Sequence, residues 1–358
     1  MKPDQIKTKN GEEIRICGDE QILIKVPSDY RGAYKVPDGV TWITIDAFNS
    51  CYHITSVFIP KSVKRIHPQN FAFCDSLTSI VVDRENPVFD SRDNCNAIIV
   101  TATNTLIHGC NGSTIPEGIE VIAENAFVGC YHLESLHIPT SVKYLEPAFF
   151  EVCPNIASLS VDENNPVYDS RNNCNAIIET ASATLLYCAP LAESFVVPLG
   201  IQHIGNSAFK GCRNLGLIYI PHGVTSIGND AFMNCISLEG IDLTGIGLIG
   251  DDAFADCSQI QIVTIGNGLR KISNGAFGHC INLEELLITG EVREIGSWAF
   301  EYCDNLEKIT LPASIEVIAP TAFKGCDSVK QVFIPKGTAE HFGNFDALKK
   351  YRHRFIEY

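Results

Sequence analysis

The chain has 358 residues, of which 45% are hydrophobic, and its 27 basic and 42 acidic side chains give a formal net charge of −15. This acidic balance argues against nucleic-acid binding, which depends on clustered basic side chains that neutralise phosphates. No apolar run reaches the roughly 18 residues that a membrane-spanning helix needs. A membrane span is therefore also excluded.

The N-terminal part, residues 1–35, is predicted to form a β-hairpin cap. Its first 11 residues are polar and contain no signal-peptide-like apolar segment, which leaves open a cytoplasmic protein or a trimmed leader. Two apolar runs, Ile14–Cys17 and Ile22–Val26, flank a turn at Gly18–Gln21. This pattern is typical of a hairpin, and the first coil of a repeat array needs such a cover.

Residues 36–335 repeat one phrase, Ile-Gly-x-x-Ala-Phe-x-x-Cys-x-x-Leu-x-x-Ile-x-Ile-Pro, in its most regular form from Asn206 to Pro335. Its cysteine recurs at steps of 23, 22, 23, 23 and 23 residues, at Cys212, Cys235, Cys257, Cys280, Cys303 and Cys326. A period between 20 and 29 residues with a Leu-x-x-Ile-x-Ile core predicts a leucine-rich solenoid. The one step of 22 residues, from Cys235 to Cys257, has lost a residue between the strand of the repeat and the apolar run that follows it. A turn is expected there, and turns tolerate changes in length.

Two insertions, near residues 83–114 and 162–197, interrupt the 23-residue period. They are near copies of each other, 79 positions apart. Each contains an Asp-Ser-Arg segment followed by two apolar runs, which predicts another hairpin. Insertions in a repeat array emerge on one face, so the hairpins either project from one side or form modified coils within the solenoid.

Residues 336–358 are predicted to close the C-terminal end. Ala339 to Arg352 has the pattern of an amphipathic helix, and Phe355 to Tyr358 of a last strand.

Within the phrase, Leu-x-x-Ile-x-Ile predicts a strand whose fourth and sixth residues point inward and whose third and fifth point outward. Neighbouring coils then pair as a parallel sheet, and the proline ends the ladder. The phenylalanines are predicted to stack as a buried column, beside which the cysteines act as small inward fillers: Phe48, Phe71, Phe127, Phe150, Phe209, Phe232, Phe254, Phe277, Phe300 and Phe323.

Catalytic, cofactor and metal residues are not predicted. The ten histidines form no His-x-x-x-His pair, and phosphate-loop and nucleophile-elbow signatures are absent. Buried cysteines are unreactive because burial raises their pKa. Acidic and amide residues around Asp83 and Asp162 are explained by turn formation, with Ca²⁺ binding as the alternative. Among the cysteines, Cys95 with Cys110 and Cys174 with Cys188 are the better candidates for disulfides, although free thiols are favoured.

The ordered repetition of Ala-Phe-x-x-Cys-x-x-Leu-x-x-Ile-x-Ile-Pro over residues 36–335 resembles the BspA-like, treponeme-type leucine-rich repeat family. The fold expected is an α/β solenoid: a right-handed leucine-rich repeat superhelix with a parallel concave sheet, β-hairpin inserts and capped ends. The resemblance implies a bacterial cell-surface or secreted protein that adheres to host or microbial proteins, and it supplies no catalytic residues.

Partner binding is expected on the outward residues of the strands, since repeat proteins bind through such surfaces. A monomer that captures a host extracellular or bacterial surface protein is the favoured interpretation. An intracellular interaction scaffold is the first alternative, and a carbohydrate- or thiol-active enzyme is the weaker second. The residues predicted to form the binding face are Phe58, His137, Leu217, Tyr219, Asp242, Ile262, Leu287 and Phe333.

Overall fold

The computed structural model describes residues 4–7, 11–67, 69–146 and 153–358. The chain divides into two compact units, Met1–Tyr168 and Asp169–Tyr358. Each unit is a β-solenoid built from short strands joined by turns, which confirms the predicted leucine-rich fold.

The first unit contains fifteen complete strands in the described residues: β1 (Asp4–Lys7), β2 (Glu13–Cys17), β3 (Glu20–Lys25), β4 (Gly32–Lys35), β5 (Trp42–Ile43), β6 (Ile54–Ile59), β7 (Arg65–Ile66), β8 (Ser79–Val82), β9 (Phe89–Asp90), β10 (Ile98–Val100), β11 (Thr105–His108), β12 (Val121–Ile122), β13 (Ser135–Ile138), β14 (Tyr144–Leu145) and β15 (Ser158–Val161). A 3₁₀ turn, Arg92–Asn94, lies between β9 and β10. Strand β16 (Tyr168–Asp169) falls at the division between the units.

The second unit continues with β17 (Ala176–Glu179), β18 (Thr184–Cys188), β19 (Ser194–Val196), β20 (His203–Ile204), β21 (Leu217–Tyr219), β22 (Ser226–Ile227), β23 (Leu248–Ile249), β24 (Ile262–Ile265), β25 (Lys271–Ile272), β26 (Glu285–Ile288), β27 (Glu294–Ile295), β28 (Lys308–Thr310), β29 (Val317–Ile318), β30 (Gln331–Ile334) and β31 (Phe355–Glu357). Its helical segments are α1 (Ala339–Gly343) and the 3₁₀ stretches Arg171–Asn173 and Asp346–Arg354.

Each regular coil contributes one strand to each of two parallel ladders. In the first unit the long strands form the ladders β4-β6-β8 and β13-β15, and the short strands form β3-β5-β7 and β11-β12-β14. In the second unit the long strands form β19-β21 and β24-β26-β28-β30-β31, and the short strands form β18-β20-β22-β23 and β25-β27-β29. Register follows the sequence period, as in the pairing of Ser135 with Ser158. Long strands alternate exposed and buried residues, so the predicted inward and outward positions are confirmed.

The three hairpins are modified coils within the solenoid. The strands of each hairpin are antiparallel to each other: β2 with β3, β10 with β11, and β17 with β18. The second strand of each hairpin then pairs in parallel with the next two-residue strand, as Leu185 of β18 does with Ile204 of β20. The sequence left open whether the hairpins project from one side or form modified coils. The structure has modified coils, and each hairpin begins a short-strand ladder.

The Ala-Phe-x-x-Cys segment forms the most regular part of the core. In the second unit six phenylalanine rings, from Phe209 to Phe323, stack with centroids 4.8–5.5 Å apart and planes within 4–7°. In the first unit Phe48 and Phe71 also touch, at 4.6 Å. The predicted stacked column is thus present in the second unit, whereas in the first unit Phe48 and Phe71 form a pair with planes tilted by 39°. Phe150 lies outside the described residues.

The cysteines do more than fill space, because their thiols donate hydrogen bonds across coils. The Cys235 Sγ donates to the Phe209 carbonyl oxygen at 3.1 Å, and the four following cysteines of the array repeat this contact with the four following phenylalanines. The Phe209 N–H also donates to the following coil, to the Ala231 carbonyl oxygen at 2.7 Å. Both backbone polar groups of the buried phenylalanine are therefore satisfied by the next coil.

The acidic and amide residues of the inserts fold the chain locally. Asn165 Nδ2 donates to the carbonyl oxygens of Pro139 and Val142, while its Oδ1 accepts the N–H groups of Val167 and Tyr168. Asn86 makes the equivalent four bonds in the first insert. The Asp162 Oδ1 accepts the Asn164 N–H at 2.9 Å. These bonds are the turn chemistry that the sequence suggested.

Both ends of the array are covered as expected. At the N-terminus β1 pairs with β2, which adds a third strand that the sequence had not suggested. At the C-terminus the predicted single helix is divided into α1 and a 3₁₀ stretch, which bury Phe342, Leu348 and Tyr351, and β31 then pairs with β30. Within the described ranges no helix has the length and hydrophobicity to cross a bilayer.

Gly250 should be intolerant of a side chain. A Cβ there would lie 2.4 Å from Asn229 N and 2.5 Å from Asn229 Oδ1, whereas a Cβ at Gly240 would meet nothing within 4 Å. Gly250→Ala is expected to lower the free energy of unfolding by about 1–3 kcal/mol because the coils must move apart. Gly240→Ala is the matched control and should be close to neutral in urea denaturation. Equal effects of the two variants would contradict this packing.

Asn165→Ala should destabilise the second insert. It removes four hydrogen bonds at a side chain that is 8% exposed, which we expect to cost about 2–4 kcal/mol. Asn164→Ala, at the exposed neighbour, should change the unfolding free energy by less than about 0.5 kcal/mol. Urea denaturation of both variants measures the difference.

Candidate protein-binding face

The residues predicted for the binding face lie on the long-strand ladder, with one exception. Phe58 and His137 belong to the first unit, on β6 and β13, and His137 Nδ1 is 2.9 Å from Ser160 Oγ. In the second unit Leu217 and Tyr219 lie on β21 and point to solvent. The remaining strand residues are Ile262 on β24, Leu287 on β26 and Phe333 on β30, of which Ile262 is exposed and the other two are half-buried.

Asp242 is the exception, because residues 238–243 form no strand. This is the coil with the 22-residue step, and the long-strand ladder of the second unit is divided there into β19-β21 and β24-β26-β28-β30-β31. Asp242 is exposed and its Oδ1 accepts the Thr244 N–H at 2.8 Å. Hydrogen bonds from Thr244 lower the pKa of this carboxyl group. Asp242 thus shapes a turn between the two parts of the ladder.

The structure brings Tyr219 together with residues that the sequence analysis did not select. Val196 of β19 is the register partner of Tyr219, and their side chains are 67% and 59% exposed. Both line a groove of about 570 Å³. The other lining residues are Asn172, Cys174, Ser194, Phe195, Val197, Pro198 and Leu199. Leu199, at 80%, is the most exposed of the groove's large apolar side chains.

A salt-bridged insert fixes one wall of this groove. Asp169 receives bidentate hydrogen bonds from Arg171, with Nη2 to Oδ2 at 2.5 Å. Burial acts to raise the pKa of Asp169, but the bonds from Arg171 hold it below its usual value. Arg171 also approaches Gly200, where an added Cβ would be 3.7 Å from Nη1. The 3₁₀ turn that carries Asn172 therefore lies beside the coil that carries Leu199.

The end of the second insert also matches the repeat phrase, and this match identifies Val196 as an outward residue. Phe195-Val196-Val197-Pro198 has the spacing of Ile-x-Ile-Pro, which places Val196 at the outward fifth position. Leu199 and Asn172 could not be found in this way, because their proximity depends on how the insert folds back. The predicted neighbours Leu217 and Tyr219 are together, whereas Ile262 and Leu287 lie beyond the strandless coil.

Burial raises the pKa of several thiols of the array. All fifteen cysteines are free, including the four insert cysteines proposed for pairing, and in the hairpin of β17 and β18 the register sets Cys188 opposite Ala176 rather than Cys174. Burial raises the pKa of Cys51 to about 11 and that of Cys280 to about 12. Such thiols are poor nucleophiles at neutral pH.

Four aspartates of the second unit lie near one another in the turns. Burial, and then the charges of Asp230, Asp251 and Asp256, raise the pKa of Asp252. Two of these carboxylates have partners: Asp251 Oδ1 accepts the Asn274 N–H at 2.9 Å, and Asp230 lies 3.6 Å from Lys210. In the part of the chain that the structure describes, no cluster of three or more His, Cys, Asp or Glu residues could hold a metal ion.

Comparison with known proteins assigns the repeat. The profile of the BspA type leucine rich repeat region matches in six copies, over residues 33–106, 107–179, 179–304 and 247–345. The chain belongs to this family. As a BspA-type protein it has the inward apolar positions and the hairpin-interrupted array described above. Comparison with curated proteins gives no match.

Three bacterial proteins of known structure share this fold. A leucine rich cell surface protein from Faecalibacterium prausnitzii is 18% identical, with a TM-score of 0.54 over 97% of this chain and 98% of that one. A leucine-rich repeat protein from Eubacterium ventriosum is 16% identical, with a TM-score of 0.59 over 90% and 95%. The pneumococcal vaccine antigen PcpA is 16% identical, with a TM-score of 0.55 over 99% and 97%. At these identities the likeness concerns the fold of the BspA-type array.

Stability should fall at alkaline pH because of the buried thiols. Unfolded cysteines ionise near about pH 8.5, whereas folded ones such as Cys280 keep their proton to about 12. The folded state thus binds more protons above about pH 8.5, and each such thiol removes about 1.4 kcal/mol of unfolding free energy per pH unit. Urea denaturation at neutral and alkaline pH measures the slope. Cys280→Ala should make the fall of unfolding free energy with pH shallower by about 1.4 kcal/mol per pH unit. An unchanged slope would show that Cys280 does not keep its proton in the folded state.

Proposed function

We propose that the chain is a non-catalytic module that binds a protein ligand in the groove beside β19 and β21. The observation that carries this proposal is the set of apolar side chains around the groove, namely Val196, Leu199 and Tyr219, which are more than half exposed. Large contiguous apolar surface is uncommon on a folded protein unless it meets a partner. Tyr219 is the anchor, because tyrosine combines apolar contact area with a hydrogen-bonding hydroxyl.

The ligand is an extended segment of another protein that carries apolar side chains. The groove of about 570 Å³ has room for a few side chains rather than for a whole domain, and its floor consists of outward residues of two neighbouring strands. Asn172 and Ser194 at its edge supply polar groups that orient a peptide. The net charge of −15 favours a neutral or basic segment over an acidic one.

The absence of catalysis is part of the proposal and rests on the state of the titratable groups. Burial raises the pKa of array cysteines such as Cys51 and Cys280, which speaks against a thiol enzyme. The carboxylates near Asp252 bind amides or a lysine and lie outside the lining of the groove. An intracellular scaffold of the same fold would use the same groove and differs only in its partner.

We infer a cell-surface or secreted location and a monomeric state. The location is supported by membership of the BspA-type family and by likeness to a bacterial cell surface protein. The partner is then a host extracellular protein or a protein of another bacterial surface. Surface labelling of intact cells that produce the chain tests the location, and light scattering tests the monomer.

The groove is tested with Val196→Ser combined with Tyr219→Ser. The intact chain serves as bait for host extracellular matrix proteins and for bacterial surface extract, and the captured protein is then purified for titration. The double variant should weaken binding by about 2 kcal/mol or more, roughly 30-fold in Kd, because two anchors are lost.

Val81→Ser is the matched control for this experiment. Val81 is an exposed valine at an outward position of β8, on the long-strand ladder of the first unit. This variant should bind the captured protein with unchanged affinity. Full binding by the groove double variant, or equal weakening by the control, would exclude the groove as the docking site.

A further inference from the structure

One edge of β19 carries main-chain groups that have no partner. Strand β19 is the first strand of a two-stranded ladder and pairs only with β21. The Glu193 carbonyl oxygen accepts an N–H from the β21 coil, and the Val197 N–H donates to that coil. Main-chain groups of successive strand residues point to opposite edges, so those of Ser194 and Val196 point away from β21. Among the described residues, no hydrogen bond reaches them.

The corresponding place in the first insert is closed by the chain itself. There Thr114 stands at the position of Val196, and its N–H donates to the Cys95 carbonyl oxygen at 3.0 Å. Cys174 is the counterpart of Cys95, but the link from the hairpin to the strand position is longer in the second insert. Cys174 and Val196 line the groove of about 570 Å³ instead of bonding to each other. The groove is therefore the space that the first insert fills with its own main chain.

Exposed apolar side chains along this edge favour a ligand over water. An edge strand that meets only solvent is usually protected by charged side chains or by a covering segment. Beside the free edge Val196 and Leu199 are more than half exposed, and none of the residues that line the groove is an acid or a base. The edge thus offers unpaired main-chain donors and acceptors together with apolar contact surface.

We propose that the groove takes its ligand as an added strand, an extended polypeptide segment whose main chain pairs with Ser194 and Val196 along the free edge of β19. This inference rests on the groove being the protein-binding site proposed above. Each of the two residues offers one N–H and one C=O group, so a ligand segment of about three residues can satisfy all four. Side chains of that segment then pack on Leu199 and Tyr219.

The chemistry of the ligand follows from this geometry. In strand addition the main chain supplies affinity, and alternate side chains supply specificity. The apolar lining selects β-branched or aromatic residues at every second position, and such residues also favour the extended conformation. An added strand lies about 4.8 Å from its neighbour, which places the ligand between Val196 and the wall at Asn172. A helical ligand does not fit this edge, because its main-chain groups are bonded internally.

The test uses the unaltered chain and a synthetic hexapeptide, acetyl-Val-Thr-Val-Thr-Val-Lys-amide, as the probe. Two further peptides have the same sequence, one N-methylated at its valines and the other at its threonines. N–H groups alternate between the two edges of a strand, so each set of methyl groups lies on one edge only. Calorimetry measures binding, and hydrogen exchange is followed at the single amides of Ser194 and Val196. The Thr114 amide, which is already bonded, is the control.

The parent peptide should bind with a Kd of about 1 mM or lower and should slow exchange at Ser194 and Val196, while exchange at Thr114 stays the same. One methylated peptide should bind about tenfold more weakly or worse, because its methyl groups replace the donors that face β19. The other should bind like the parent peptide. The identity of the weaker peptide then shows whether the ligand runs parallel or antiparallel to β19.

Equal affinity of the two methylated peptides, or unchanged exchange at Ser194 and Val196 while the parent peptide binds, would overturn strand addition and leave the groove as an apolar docking site. Absence of binding at about millimolar peptide would also overturn it. Undiminished binding to the Val196→Ser, Tyr219→Ser double variant would place the peptide outside the groove and contradict the proposed function itself. Slow exchange without peptide, in a chain that light scattering shows to be dimeric, would make a second copy the occupant.

Discussion

The second unit depends on the way that each array phenylalanine from Phe209 to Phe300 is bonded to the following coil. Its N–H donates to an alanine carbonyl of that coil, its carbonyl oxygen accepts the cysteine S–H, and its ring stacks on the next ring. The three fixed residues of Ala-Phe-x-x-Cys follow from these contacts. Alanine lets the chains approach, phenylalanine supplies apolar area, and cysteine is small enough to be buried and still donates.

Because this contact lies inside the core, the outer residues of each coil are free to vary. The same outward positions carry serine and histidine on β13 and leucine and tyrosine on β21. The turns vary in the same way, from glycine and aspartate in most coils to tryptophan and tyrosine at residues 298 and 302. One scaffold thus presents chemically different outer surfaces on its coils, among them the apolar groove of the second unit.

Much of this architecture follows from the sequence, because the repeat period is visible in it. The alternation of apolar residues along each strand also identifies the inward positions. The Phe column, the alternation along the long strands and the hairpin positions were predictable on that basis. The thiol hydrogen bonds were not, since cysteine is equally consistent with passive filling. Likewise the groove depends on the 3₁₀ turn at Asn172 lying beside Leu199, and the proximity of these two residues has no periodic signal in the sequence.

The strandless coil at residues 238–243 shows where such an array accepts a change in length. One residue is missing there, yet the short-strand register continues from Ser226 to Leu248 and Phe254 stacks on Phe232 at 5.1 Å, the same distance that separates Phe254 from Phe277. The deletion is absorbed wholly on the outward side of the coil. This change in length is thereby directed to the face on which we propose ligand binding, while the interior of the array stays the same.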